Sequence, residues 1–120
     1  MKPQPIVNAF KHAFNGIGYF IGHDRNGGIH FIFAVLVSLA GWFFRISNTE
    51  WCILLLCMAL VISFEMINQA IENLSDVVHA DIHPLIKTVK DVAAGAVLWS
   101  AIVSVIIGLL IFVPKISALL

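Results

Sequence analysis

Glu65, Asn68, Glu72 and Asp76 stand at steps of three, four and four in a stretch, Trp51 to Val78, that is otherwise membrane-like. At about 100° per residue the four side chains fall near 0°, 300°, 340° and 20°, a stripe about 80° wide. His79, near about 320°, continues it. An ionisable group at membrane depth costs at least ~2.5 kcal/mol on insertion scales, and such groups mark function by default. Three carboxylates and an amide on one face therefore point to a chemical site at the edge of a bilayer.

Composition fixes that setting. Of 120 residues, 60% are hydrophobic and 12% charged, about half the charged share of a soluble domain, and mean hydropathy is +0.97. The chain is read as an integral membrane protein of one small domain, 1–120. Its formal charge is zero, and without a basic run there is no attraction to nucleic acid. Cys52 and Cys57 point about 140° apart on one apolar helix, unsuited to a disulfide or metal knuckle. The opening MKPQPIVNAFKHAF lacks the continuous apolar core of a signal peptide and is read as part of the mature protein.

The pattern predicts an all-α membrane protein: an N-terminal amphipathic surface helix and three transmembrane helices. Ile6, Phe10, Phe14, Ile17 and Ile21 alternate with Asn8, Lys11, His12 and Asn15 at helical spacing, which places a surface helix over about residues 5–22. Gly27-Gly28 reads as a turn into a first span over about 29–46. Ser47-Asn48-Thr49 forms a hairpin, with Thr49 or Asn48 as N-cap, before a second span over about 51–78. Its apolar run ends at Phe64, after about 21 Å of rise, so Glu65 and Asn68 must face protein, water or ligand. Pro84 suits the first position of a third helix, over about 84–113, whose Val92–Val113 portion carries no charge. Lys2, Lys11, Arg25, Lys87 and Lys90 lie on the N-terminal side against Arg45 and Lys115 on the other. That bias puts the N-terminus, and six of the seven acids, in the cytosol.

Carboxylates on adjacent helix turns can share magnesium, which takes one or two protein carboxylates together with phosphate oxygens. Glu72 is the best internal candidate, and Asp24 joins it if the surface helix folds back over the second span. Lys90 supplies a phosphate-pairing cation and Asp91 an acceptor. Glu65, the deepest acid, suits the base, because only a lipid-borne hydroxyl meets it there. His30 reads as a helix-end residue, and His83 as a cap rather than a ligand. Ala93 to Ala96 read as a small-residue patch for close helix contact. No soluble nucleotide-binding or protein-kinase signature is present.

FEMINQAIENLSDVV (Phe64 to Val78) followed by HPLIKTVKDVAAGAVL (His83 to Leu98) resembles the small bacterial membrane lipid kinases, the diacylglycerol kinases and their undecaprenol kinase relatives. HDRNGGIH (His23 to His30) is similar to the undecaprenol kinase branch. The resemblance implies an ATP- and Mg2+-dependent kinase of the bacterial inner membrane that phosphorylates a lipid alcohol, undecaprenol or diacylglycerol, at the cytosolic face. It implies Glu65 as proton acceptor and Asp24 and Glu72 as metal ligands. Around the nucleotide it places His12, Asp24, Glu72, Asp76, Asp81, Ile82, His83, Lys90 and Asp91, and around the lipid Glu65, Asn68 and Ala94. It further implies a homotrimer with sites between subunits. Asp24 stands where the family normally has Glu, and His12 where Tyr is common. Two other classes compete on the residues alone: a small proton- or cation-coupled transporter using the stripe as a relay, and a non-catalytic assembly subunit.

Overall fold

The computed structural model describes residues 5–78 and 83–120, and the described chain is helical throughout: α1 (Ile6–His23), α2 (Arg25–Phe43), α3 (Asn48–Val78) and α4 (Pro84–Leu119). Three of these, α2, α3 and α4, are long and apolar enough to cross a membrane. α3 and α4 form the main packed pair, α2 lies against α3, and α1 touches α2. The apolar residues of α1 that recur at helical spacing, Ile6, Phe10, Phe14, Ile17 and Ile21, are all exposed, and only Phe20 is buried. That outward apolar face is what a helix resting on a lipid surface presents.

The break between α1 and α2 falls at Asp24, not at Gly27-Gly28, which lie inside the first turn of α2. Asp24 has an extended backbone (φ −99°, ψ 112°) and serves both helices. Its N–H donates to the Phe20 carbonyl at 2.9 Å, and its Oδ1 accepts from the Asn26 N–H at 3.2 Å. An aspartate side chain supplies the N-cap bond that a new helix needs, so no glycine turn is required. The glycines serve packing instead: a Cβ on Gly27 would lie 2.2 Å from Phe20 Cζ. Phe20 thus lies on bare backbone and holds α1 against α2.

At the other end α2 closes at Phe43, before the expected limit of 46. The Ile46 N–H donates to the Gly41 carbonyl (3.2 Å) and the Arg45 N–H to the Trp42 carbonyl (3.3 Å). With Arg45 at φ 52°, these bonds form a Schellman turn. It tips Ile46 into a cluster with Leu54 and Ile111, ringed by Val37, Phe44, Trp51, Met58, Ile107 and Phe112. The N-cap of α3 is Ser47 rather than Thr49 or Asn48. Ser47 Oγ accepts from the Glu50 N–H at 3.1 Å, and Glu50 Oε1 accepts from the Ser47 N–H at 3.0 Å, a reciprocal capping box. α4 starts at Pro84 with His83 as N-cap, its ring nitrogen accepting from the Leu85 N–H at 3.2 Å. It continues through Pro114 to Leu119, past the expected limit of 113. One proline deletes a single helical bond, and Lys115 Nζ holds that turn 3.3 Å from Glu50 Oε2 on α3.

A methyl group at Gly27 must dislodge Phe20. Gly27→Ala is expected to lower stability by about 1–3 kcal/mol, the usual range for overpacking, read as the thermal midpoint in detergent. In the Phe20→Ala background the same substitution should cost much less, because the clashing ring is gone.

Candidate functional site

The site forms where the α1–α2 break meets the polar face of α3. Glu65 is 3% exposed, Asn68 7% and Asp24 9%, so an acid from the break and two stripe residues are buried together in a bundle whose outer surface is apolar. Asp24 and Glu72 are the acidic neighbours of Glu65. Asp24 reaches the stripe as the N-cap of α2, which packs along α3, whereas α1 packs on α2 rather than folding back over α3 as expected. His30 Nε2, on α2, lies 4.0 Å from Glu65 Oε2, an ion pair when the imidazole is protonated. Two oxygens here are buried without a hydrogen-bond partner, Asp24 Oδ2 and Asn68 Oδ1. An unpaired buried oxygen costs free energy on the scale of a lost hydrogen bond or more, so Asn68 Oδ1 is placed to accept from a group that enters the site, while the Asp24 carboxylate also has the Glu65 carboxyl beside it.

One turn beyond Glu72 the stripe reaches the outside. Asp76 Oδ1 is 3.4 Å from Lys90 Nζ, an exposed pair joining α3 to α4. Asp91 is held instead by Lys87, Nζ to Oδ2 2.6 Å, one turn back on the same helix. In this arrangement Lys90 and Asp91 each have a protein partner, so both must exchange it to meet a ligand. His12 on α1 and Ala94 on α4 are exposed, and no hydrogen bond or ion pair among the described residues ties either to Glu65. His83 caps α4. Asp81 and Ile82, and His79 at the end of the stripe, lie outside the described residues.

The donors fit magnesium in one specific way. No group of three or more His, Cys, Asp or Glu side chains that could hold a metal ion occurs among the described residues, so the single chain forms no closed cage. Magnesium asks for less: one or two carboxylates, with phosphate oxygens and water completing the shell. Asp24 and Glu72, with the unpaired Asp24 Oδ2 and Asn68 Oδ1 between the same elements, offer the hard oxygen donors of such an open site.

His30 is the residue the sequence pattern misplaced. With Gly27-Gly28 read as a turn, His30 fell at a helix end; with α2 starting at Arg25 it lies within the second turn, facing α3. The signal was Asp24 as N-cap, which carries the helix through both glycines.

Comparison with known proteins follows the same lines. A family model described as prokaryotic diacylglycerol kinase matches residues 11–112. The chain belongs to the prokaryotic diacylglycerol kinase family. The chain is 42% identical to an undecaprenol kinase of Bacillus subtilis over 110 residues, covering 92% of this chain and 89% of that one. It is 34% identical to a diacylglycerol kinase of Synechocystis over 121 residues, covering 100% of this chain and 69% of that one. No solved structure matches it significantly. As a member of this family the chain is a multi-pass membrane protein and a lipid kinase.

His30→Leu removes the imidazole nearest Glu65 while keeping an apolar side chain on α2. Lipid kinase turnover should fall by up to about tenfold, the loss of one close charge partner of Glu65, with an unchanged elution volume in gel filtration. Full turnover in that variant would show that His30 does not act on Glu65.

Proposed function

We propose that the protein transfers the γ-phosphoryl group of ATP to the hydroxyl of a polyprenol of the undecaprenol type, at the cytosolic boundary of the bacterial inner membrane, giving the lipid phosphate and ADP. The observation that carries this reading is the placing of Glu65: a carboxylate withdrawn from water, on a membrane helix, at the inner end of a polar stripe that runs out to Asp76 and Lys90. A greasy alcohol reaches Glu65 from the lipid, and a soluble nucleotide reaches the far end of the same stripe. The 42% identity to an undecaprenol kinase favours a polyprenol over diacylglycerol.

The residues divide the work by depth. Glu65 accepts the proton of the lipid hydroxyl as its oxygen bonds to the γ-phosphorus. The bond from that phosphorus to the bridging oxygen breaks, and the electron pair leaves with ADP. Asn68 orients the substrate by donating a side-chain amide N–H to the oxygen of the hydroxyl whose proton Glu65 takes. His30 holds the Glu65 carboxylate in place from α2. Asp24 and Glu72 hold Mg2+, which when bound neutralises the phosphate charge. Lys90 releases Asp76 and pairs with phosphate, leaving Asp76 to accept from the nucleotide. Asp91, His12, His83, Asp81 and Ile82 border the nucleotide, and Ala94 gives the lipid a flat wall on α4. A homotrimer completes the site, bringing residues of α4 and α1 of one copy to the stripe of another. That assembly accounts for His12 and Ala94 lying exposed and away from Glu65 in the single chain.

The test is phosphoryl transfer in mixed micelles from γ-labelled ATP. Glu65→Gln keeps the side chain's shape and removes its basicity, so transfer should fall by about 10²–10⁴-fold while oligomer size is unchanged. Turnover of undecaprenol should exceed that of diacylglycerol. Retained transfer in Glu65→Gln removes the base assignment, and equal or greater use of diacylglycerol removes the substrate assignment. Chelation with EDTA should abolish transfer, and added Mg2+ should restore it; in Asp24→Asn and Glu72→Gln the restoring concentration should rise at least about tenfold, one lost carboxylate ligand each.

A further inference from the structure

The end of the bundle away from Glu65 holds a polar group that the kinase reading leaves unused. Arg45 closes α2 at φ 52°, a left-handed position that helices usually fill with glycine because a side chain there is disfavoured. Its guanidinium is exposed, and among the described residues it makes no hydrogen bond and no ion pair. The only acidic side chain at this end, Glu50, is fully engaged. Its Oε1 accepts from the Ser47 N–H and its Oε2 meets Lys115 Nζ at 3.3 Å. Arg45 is therefore the cation left over after the local charges are matched.

Beside it opens a hollow of about 510 Å³ lined by Gly41, Trp42, Phe43, Arg45 and Trp51, a volume within the ordinary range for ligand pockets. One wall depends on a glycine: a Cβ on Gly41 would lie 2.9 Å from Trp51 Cη2, so the bare backbone lets that indole close against α2. Trp42 and Phe43 stand on the open side, 77% and 66% exposed. From Trp51 to Glu65 the distance along α3 is about 21 Å, so this hollow is separate from the kinase site and lies towards the opposite membrane boundary. Tryptophan rings and a cation at such a boundary match the chemistry of lipid headgroups.

We propose that this hollow binds an anionic phospholipid, the Arg45 guanidinium holding its phosphodiester and the rings of Trp42 and Phe43 lying along its acyl chains. A guanidinium offers paired donors that match two phosphate oxygens, and it is less strongly hydrated than an ammonium. Aromatic walls add nothing for a free inorganic anion, whereas they cover the glycerol and upper chain of a lipid. The inference rests on the membrane-spanning fold and is independent of the residue roles assigned around Glu65.

The experiment measures lipid retention by mass spectrometry after gel filtration of the full-length protein, loaded from micelles with equal phosphatidylglycerol and phosphatidylcholine of identical chains. The wild type should retain at least about fivefold more phosphatidylglycerol, and inorganic phosphate should not displace it. Arg45→Gln should bring the two lipids to parity. Arg45→Gly should do the same with a thermal midpoint equal to or above the wild type, because glycine accepts φ 52° freely. Parity in the wild type, an unchanged preference in either variant, or displacement by inorganic phosphate would each overturn the proposal. So would an Arg45→Gly protein that is less stable yet keeps its preference, since Arg45 would then serve only the end of α2.

Discussion

The packing of α2 along α3 carries Asp24 to the polar stripe, and the other fixed point of the site is the contact of Phe20 with the bare backbone of Gly27. It sets the angle at which α1 leaves α2, and the residue at the vertex of that angle is Asp24. Both Asp24 backbone bonds and its Oδ1 are used to make the break, which leaves Oδ2 as the one oxygen turned to the site. An acid in this position cannot move far without unwinding a helix end. The chain thus obtains a fixed buried carboxylate opposite Glu65 from a junction of two helices rather than from a long loop. Aspartate, shorter than glutamate, suits the double role, since its carboxylate is close enough to cap its own helix.

The bundle has two ends of different character, and α3 runs through both. At one end Ile46, Leu54 and Ile111 pack together, and the Ser47–Glu50 capping box and the Glu50–Lys115 pair fasten α3 to α4. At the other, polar side chains (Asp24, Glu65, Asn68 and Ser75) are buried alongside Phe20, and the Asp76–Lys90 pair between α3 and α4 is exposed. Under the proposed function, the exposed Asp76–Lys90 pair is the contact that parts to admit a nucleotide.

Helix existence was legible in this sequence because the apolar runs and the polar stripe obey one period over many residues. The grouping of Glu65, Asn68 and Glu72 on one face of α3 followed from spacing alone, while Asp24 arrives beside them through the packing of α2 on α3 rather than the expected fold-back of α1. Helix ends were less legible. Gly27-Gly28 looks like a turn by composition, yet the cap beside it comes from Asp24, and the glycines make room for Phe20. The same kind of ambiguity hid Ser47 behind Asn48 and Thr49, although Ser47 and Glu50 carry the spacing of a capping box. His30 was misplaced as a direct consequence of the first error. His12 and Ala94 show a different limit: in the proposed trimer their ligands would lie between copies of the chain, and no pattern within one copy brings them to Glu65.

The central claim is that the α1–α2 break holds residue 24 against residue 65 of the same polar site. Cross-linking in native membranes tests it directly, using Asp24→Cys with Glu65→Cys in a chain whose own Cys52 and Cys57 are replaced by alanine. The shortest thiol-to-thiol reagents should join the two positions at low occupancy of protein and in high yield, and a control pair placing the second cysteine at Leu54 should stay unjoined. If 24 and 65 fail to cross-link while both thiols react singly, the break does not deliver its carboxylate to the stripe and the account of the site is wrong.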